Sequence, residues 1–255
     1  MLKNTTTTKM DLLTQSSGTG ARTEKEGMLF HKECQFEDEL GLSTRPGEYK
    51  QVQPAELNEG KYRNCTQASH CMLYAESITP ILKVYNPKAI IFMQLRFDGH
   101  LGFPGGVVDP GETPEDAVNR ELVEEAGLHP GEVVLEDDDL CCIHFSKDKN
   151  LLLYFYVKKL SEKKMSVLEK KTINSLEYGN EVMGIVRVPL YTMSDGFRGF
   201  PAFLRSSFIG NSREQLFQGL IKKNIMTAGE IQTAAKASPA FVSTSDIENA
   251  QKCDG

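Results

Sequence analysis

The chain has 255 residues, 40% of them hydrophobic, and a formal net charge of −6 at pH 7. That length holds one large domain or a domain with tails, and the apolar fraction suffices for a core. The acidic balance excludes a protein that is basic throughout, so any nucleic-acid contact has to use a local basic patch.

Residues 1–58 are expected to form a disordered extension. Thr5 to Thr8 and Ser16-Ser17-Gly18-Thr19-Gly20 are polar, and the apolar residues come singly and without period. Met28-Leu29-Phe30 is a short apolar triplet, more simply a chance run than a docking patch. Met1 to Met10 has no apolar segment of a secretory leader, and Glu24, Glu26 and Glu33 count against a mitochondrial presequence. No apolar run approaches the ~18 residues of a membrane span. Cys34, Cys65, Cys71, Cys141, Cys142 and Cys253 form no CxxC pair, which predicts reduced thiols in the nucleus or cytoplasm.

A folded domain over residues 59–236 is expected, followed by a flexible tail over 237–255. Cys65 to Ala75 reads as a strand, and Ile81 to Tyr85 as part of a loop bounded by Pro80 and Asn86-Pro87. Ala89 to Phe97 is a strongly apolar run and reads as a buried strand ending at the hairpin turn Asp98-Gly99. Leu101 to Phe103 continues beyond it. Asp109-Pro110-Gly111 is a turn. Thr113 is a good N-cap, Pro114 falls at the first helical position, Glu115 and Asp116 meet the positive helix end, and Gly127 is a natural C-terminal stop. Thr113 to Ala126 is therefore a helix with both ends marked. Val133 to Leu135 and Leu140 to Phe145 are predicted short strands, and Leu151 to Val157 a second buried one. Ser161 to Asn174 reads as helix, Val182 to Pro189 as strand, and Phe200 to Phe208 and Ser212 to Asn224 as helices. The last of these should bury Leu216, Phe217, Leu220 and Ile221. Strands joined by hairpins as well as by helices predict an α/β fold: a mixed sheet with helices on both faces.

The helix at 113–126 has two stripes. Val118, Leu122 and Ala126 share one face; Glu121, Glu124 and Glu125 share a neighbouring one. Three carboxylates that close repel one another, and Arg120, through Asp116 and Glu124 at its i−4 and i+4 positions, relieves only part of this. A hard divalent cation would relieve more, and Mg²⁺ characteristically bridges a few carboxylates to substrate phosphates. Glu112 could reach back to the same place. A solvated acidic face is the bland alternative.

The spacing decides between them. Gly106, five residues, Glu112, seven residues, then Arg120-Glu121-Leu122-Val123-Glu124-Glu125-Ala126-Gly127-Leu128 resembles the Nudix box at every fixed position. The resemblance implies the Nudix α/β/α sandwich, with the box as loop–helix–loop, and hydrolysis of nucleoside diphosphates linked to another group. It extends from about Gln67 to Ile231. The run Arg96-Phe-Asp-Gly-His-Leu-Gly-Phe-Pro-Gly-Gly106, Val186-Arg-Val-Pro-Leu-Tyr191, Ser207-Phe-Ile-Gly210 and Ser212-Arg-Glu-Gln215 resemble the RNA-decapping branch of the family. That branch includes syndesmos, a sister with a degraded box and no hydrolase role.

The resemblance implies Mg²⁺ or Mn²⁺ held by Glu121, Glu125 and the Gly105 carbonyl, with Glu124 as ligand or base. It implies substrate contacts at His70, Arg96 and Phe103, and places His144 and Gln215 at the edge shared by metal and substrate. The implied substrates are capped RNA, including a nucleolar RNA, and purine nucleoside diphosphates such as inosine diphosphate. A homodimer without a membrane, in nucleus and cytoplasm, is implied as well. Two other readings stay open: a non-catalytic syndesmos-like module binding nucleotide or protein, and an enzyme of small nucleotides only. The pairs Lys158-Lys159, Lys163-Lys164, Lys170-Lys171 and Lys222-Lys223 are either RNA-backbone contacts or exposed pairs on separate faces. The regular spacing through Asp109-Pro110-Gly111-Glu112 departs from the longer first half of the box in the decapping relatives. It leaves substrate preference less fixed than the chemistry.

Overall fold

A computed structural model of the chain describes residues 48–77 and 79–238. Eight strands form one mixed sheet: β1 (Tyr49–Val52), β2 (Thr66–Ala75), β3 (Ile90–Arg96), β4 (Leu101–Gly102), β5 (Gly105–Val107), β6 (Leu140–Ser146), β7 (Leu151–Lys159) and β8 (Val182–Arg187). The order is β1-β6-β7-β2-β3-β4, with β5 paired to β2 and β8 to β3. The helices are α1 (Pro114–Ala126), α2 (Glu162–Thr172), α3 (Phe200–Phe203), α4 (Ser212–Lys222) and α5 (Ala228–Lys236).

The strands alternate two apolar sets, and each set has its own helices. Cys71, Leu73 and Ala75 of β2 pack with Val118 and Leu122 of α1 and Met165 and Leu168 of α2. Met72 and Tyr74, one residue out of phase, pack with Leu216, Phe217 and Leu220 of α4 and Ile231 of α5. The period of two sends successive side chains to opposite faces, so one long strand closes both cores. The result is the α/β/α sandwich.

One irregularity opens the sheet. Along one edge β2 runs parallel to β7 from Thr66↔Leu151 to Tyr74↔Lys159. Along the other it is shared: β5 pairs at Ala68 to His70, and β3 pairs only at Tyr74 and Ala75. Between the two partners the Cys71 N–H donates to the Pro104 carbonyl at 3.0 Å. The chain leaving β4 thus returns to the middle of β2 and delivers the loop before α1 to the sheet.

Several sequence expectations meet a different outcome. The sheet begins at Tyr49, ahead of residue 59: β1 pairs with β6 from Tyr49↔Ser146 to Val52↔Ile143. An edge strand of four residues buries only Tyr49 and Val52, too little to register as a period. Val133 to Leu135 is not a strand. The Asn119 side chain takes the place of a strand neighbour, accepting from the Leu135 N–H at 2.8 Å and donating to its carbonyl at 3.0 Å. The helix expected over Phe200 to Phe208 stops at Phe203, and Phe208 bridges to Leu101 instead. Helix α5 was not foreseen, although Thr227 and Glu230 form a capping box at its start. The triplet Met28–Phe30, the rest of the extension before residue 48, and the tail after residue 238 lie outside the described residues.

Candidate active site

Helix α1 is built as its sequence requires. The Thr113 hydroxyl accepts from the Asp116 N–H at 3.1 Å, and the Asp116 carboxylate accepts from the Thr113 hydroxyl at 2.9 Å. Gly127 closes the other end at φ 67°. With Asp116 spent on the cap, it is not the partner of Arg120 that its spacing suggested.

Arg120 instead gathers the box. Its Nε donates to Glu112 at 2.9 Å, Nη1 to Glu121 and to Glu124 at 2.9 Å each, and Nη2 to Glu112 at 3.3 Å and to the Val107 carbonyl at 3.1 Å. The guanidinium has five N–H groups in a fixed fork, and each has an acceptor here. One cation therefore faces three carboxylates.

Glu125 is apart from this fork. It is 4% exposed, and its Oε2 accepts from the Gly105 N–H at 3.0 Å. Burial pushes its carboxyl up to about 8, with Glu121 and Glu181 adding to the rise and the Gly105 N–H opposing it. Burial also raises Glu121. Two glycines permit close approaches here, one of the loop to β2 and one of Glu121 to the loop. At Gly105, φ is +139° and an added Cβ would sit 2.1 Å from the Ser69 carbonyl oxygen. At Gly106 an added Cβ would sit 2.3 Å from Glu121 Oε1.

Arg96 at the end of β3 is close enough to Glu125 and to His70 for its charge to lower the pKa of both. Burial, with Arg96 second, drops His70 to about 4, and its Nδ1 is enclosed without a partner. His70, Arg96, Gly105, Glu121 and Glu125 thus share one neighbourhood. Glu181, at the start of β8, joins them through its effect on both buried glutamates. The sequence had not singled it out. Its only signal is position: its carbonyl accepts from the Phe97 N–H at 3.0 Å, a contact no motif records.

The remaining candidates lie differently. Phe103 is 4% exposed and its ring packs 5.0 Å from that of Phe155. Its ring belongs to the core, so the substrate contact expected of it does not fit this placement. His144 is fully buried under α4, where its Nε2 lies 3.0 Å from Gln218 Nε2 and 3.4 Å from Glu214 Oε1, and its Nδ1 lies 3.8 Å from Cys142 Sγ. It contacts these groups and none of the box carboxylates. Gln215, 2% exposed, has an enclosed Nε2 without a hydrogen-bond partner. Among the described residues no three His, Cys, Asp or Glu side chains converge as a ready metal cage. Arg120 draws Glu121 and Glu124 one way, and Gly105 holds Glu125 another. The donor set still suits a hard cation: three carboxylates share one guanidinium, and Glu125 is short of positive charge.

Of the lysine pairs, Lys158 is tied to Asp139 and Lys171 to Glu132 at 2.6 Å each, Lys159 to Glu76 at 2.5 Å, and Lys222 to the Leu140 and Cys141 carbonyls. Half of the proposed backbone cations are thus already engaged within the protein. Among the described residues no helix is long and apolar enough to cross a membrane.

A split mixed sheet, a glycine loop and a helix whose carboxylates meet at that loop define the class: a Nudix hydrolase, acting on phosphorus-containing anhydrides. A family model described as Nudt16-like, U8 snoRNA-decapping enzyme-like, matches residues 67–226, and the chain belongs to this family. It is 44% identical to the U8 snoRNA-decapping enzyme of Homalodisca vitripennis, over 66% of this chain and 89% of that one. It is 38% identical to the enzyme of the same name from Bos taurus, over 68% and 89%. The human Tudor-interacting repair regulator protein is 34% identical, over 75% of this chain and 89% of its own.

Proposed function

We propose that this protein is a metal-dependent pyrophosphohydrolase that removes caps from RNA, nucleolar RNA included, and hydrolyses purine nucleoside diphosphates such as inosine diphosphate. The observation that carries this reading is Glu125. A carboxyl group buried beside two other carboxylates, and pushed up to about 8, lacks a counter-charge at a glycine loop and keeps its proton until a cation takes that place. Mg²⁺ or Mn²⁺ would be held by Glu121, Glu125 and the Gly105 carbonyl. Bound there, the ion neutralises pyrophosphate charge and acidifies a water. Glu124, held at the edge by Arg120, is a further ligand or the base that takes the proton of the attacking water. Arg96 presents a cation to the phosphates, and His70, kept neutral, offers an uncharged ring nitrogen to base or sugar. Gln215 of α4 would border the edge shared by metal and substrate, and His144 would back that edge through Gln218 and Glu214 of the same helix. The decapping part of the proposal draws on the names of the relatives. A nuclear setting draws on them too, while a cytoplasmic share and a homodimer are part of the same reading, the dimer decided by sedimentation.

The test is a product assay on capped RNA and inosine diphosphate side by side, with and without each metal. Both should be cleaved, and only with metal. Glu125→Gln should lose activity by about a hundredfold or more while keeping the fold, because the change is isosteric and the amide oxygen still accepts from the Gly105 N–H. Cleavage of inosine diphosphate alone would make the protein a small-nucleotide enzyme. A folded protein that cleaves neither would leave the binding role of a syndesmos-like module.

A further inference from the structure

The hairpin joining β3 to β4 holds an ion pair that the chemistry above does not use. Its turn is closed by the Arg96 N–H to the His100 carbonyl at 2.9 Å and the Gly99 N–H to the Arg96 carbonyl at 3.0 Å. Gly99 sits at φ +81°, which folds Asp98 back over the strand it has just left. Asp98 Oδ2 then accepts from Arg96 Nε at 3.3 Å and from Nη2 at 3.2 Å. Asp98 Oδ1 accepts from the His100 N–H at 3.0 Å, and His100 Nδ1 lies 3.3 Å away. The carboxylate is 14% exposed and the guanidinium-bearing side chain 24%. Both oxygens of Asp98 are thus fixed, one by the turn and one by Arg96.

The stem of Arg96 is fixed too. A Cβ at Gly102 would lie 3.1 Å from Arg96 Cδ, so the side chain runs across the neighbouring strand at a position that has no side chain. The guanidinium carbon lies 5.4 Å from the Phe97 ring centre. A guanidinium gripped along its Nε–Nη2 edge has one orientation, and its remaining edge, toward Nη1, is aimed by the grip. The charge so aimed acts on His70 and Glu125, the two enclosed groups of the site.

We propose that Asp98 is the positioning residue for Arg96: it fixes the rotamer that turns the outer edge of the guanidinium to the diphosphate of the substrate. This rests on the proposed use of Arg96 at the phosphates. Asp98 does not touch the substrate. It removes the rotational freedom that a long exposed cation would otherwise lose at each binding event. The local structure supports a low-lying carboxylate: the His100 N–H and Arg96 hold Asp98 below its ordinary range, against the opposing effect of burial. It is therefore ionised throughout the neutral range, as a permanent partner must be.

The experiment is a double-mutant cycle with Asp98→Asn, Arg96→Ala and the combination, read on inosine diphosphate with saturating metal. Asparagine keeps an acceptor for the His100 N–H, so the turn survives. Asp98→Asn is expected to raise KM about tenfold with kcat within about twofold of the parent, at an unchanged melting temperature. Added to Arg96→Ala, it should cost less than a further twofold, because there is no guanidinium left to aim. A multiplicative effect of the two substitutions would overturn the proposal, since Asp98 would then act by another route. Parental KM in Asp98→Asn would overturn it as well. Arg96→Ala with parental kinetics would instead overturn the assignment of Arg96, and the proposal with it. Asp98→Glu separates the remaining structural reading: its longer arm still reaches the guanidinium and should recover part of the loss, whereas an effect that came only from the turn would not recover.

Discussion

Gly106→Ala makes the sharpest test of where Glu121 stands. Gly106 is in β5, paired with Ser69 of β2, and its φ is not in the left-handed region. Alanine therefore strains no backbone there. The new methyl group would lie 2.3 Å from Glu121 Oε1 and 2.9 Å from its Cδ, where ordinary contact begins at 3.4 Å. The carboxylate has to retreat by about 1 Å, and displacements of that size at a reacting centre cost about a hundredfold in rate. Stability should hardly follow. The Arg120–Glu121 pair that loosens is partly exposed and worth no more than about 1 kcal/mol, and alanine in place of strand glycine returns about 0.5–1 kcal/mol. The expected outcome is a loss of about a hundredfold in kcat/KM on inosine diphosphate with a melting temperature within about 4 °C of the parent. Gly184→Ala in β8 is the control, because an added Cβ there meets nothing within 4 Å; it should leave both quantities alone. Activity within about threefold of the parent in folded Gly106→Ala would mean that the Glu121 carboxylate is not needed where the structure puts it.

Two further outcomes follow from the packing and charge. Compared with a chain starting at residue 48, one starting at residue 59 loses β1 and exposes the surface that Tyr49 and Val52 cover. Each such side chain is worth about 1.5–3 kcal/mol, so melting should fall by at least about 6 °C; equal melting temperatures would show that β1 adds nothing to the sheet. The His70 ring titrates at about 4 in the folded protein against 6.5 when free. The unfolded chain takes up the proton first, so stability is full above about pH 6.5 and falls as pH drops toward 4, by at most about 3 kcal/mol. With a chelator present, His70→Gln should flatten the acid limb of a stability–pH curve, and an unchanged limb would contradict the burial of that ring.

What the sequence revealed tracks how local the cause is. Helix α1 was legible to the residue at both ends, because a cap, a proline and a left-handed glycine act within one turn. The buried strands β3 and β7 were legible because most of each is covered on both faces and reads as a nearly continuous apolar run. The box carboxylates stood out by spacing alone. Asp116 was misassigned to Arg120 because a helix-face argument counts separation and ignores the competing claim of a cap. Strand β1 and the segment at Leu135 were missed because each depends on a distant partner: β6 for the first, the Asn119 side chain for the second. Phe103 is the instructive case. Its neighbours in sequence are loop residues at the site, yet its ring turns inward to Phe155. Proximity along the chain said nothing about the direction of the side chain.

The fork of Arg120 bears on how this protein moves. The Val107 carbonyl and the Glu112 carboxylate bind the same guanidinium, so the loop between them is clipped at both ends to one side chain of α1. Inside the clip, the Glu112 carboxylate also accepts from the Asp109 N–H at 3.1 Å. A loop latched in this way has little slack on the timescale of substrate exchange, and its ordering belongs to folding rather than to binding. The facing wall of the site is held by main-chain bonds instead: the Phe97 N–H donates to the Glu181 carbonyl at 3.0 Å, and the Glu177 N–H to the Glu124 carbonyl at 3.1 Å. The two walls of the site are thus fixed by different means, one by a single guanidinium and the other by hydrogen bonds between the backbones of the β3–β4 hairpin, the 173–181 turn and α1.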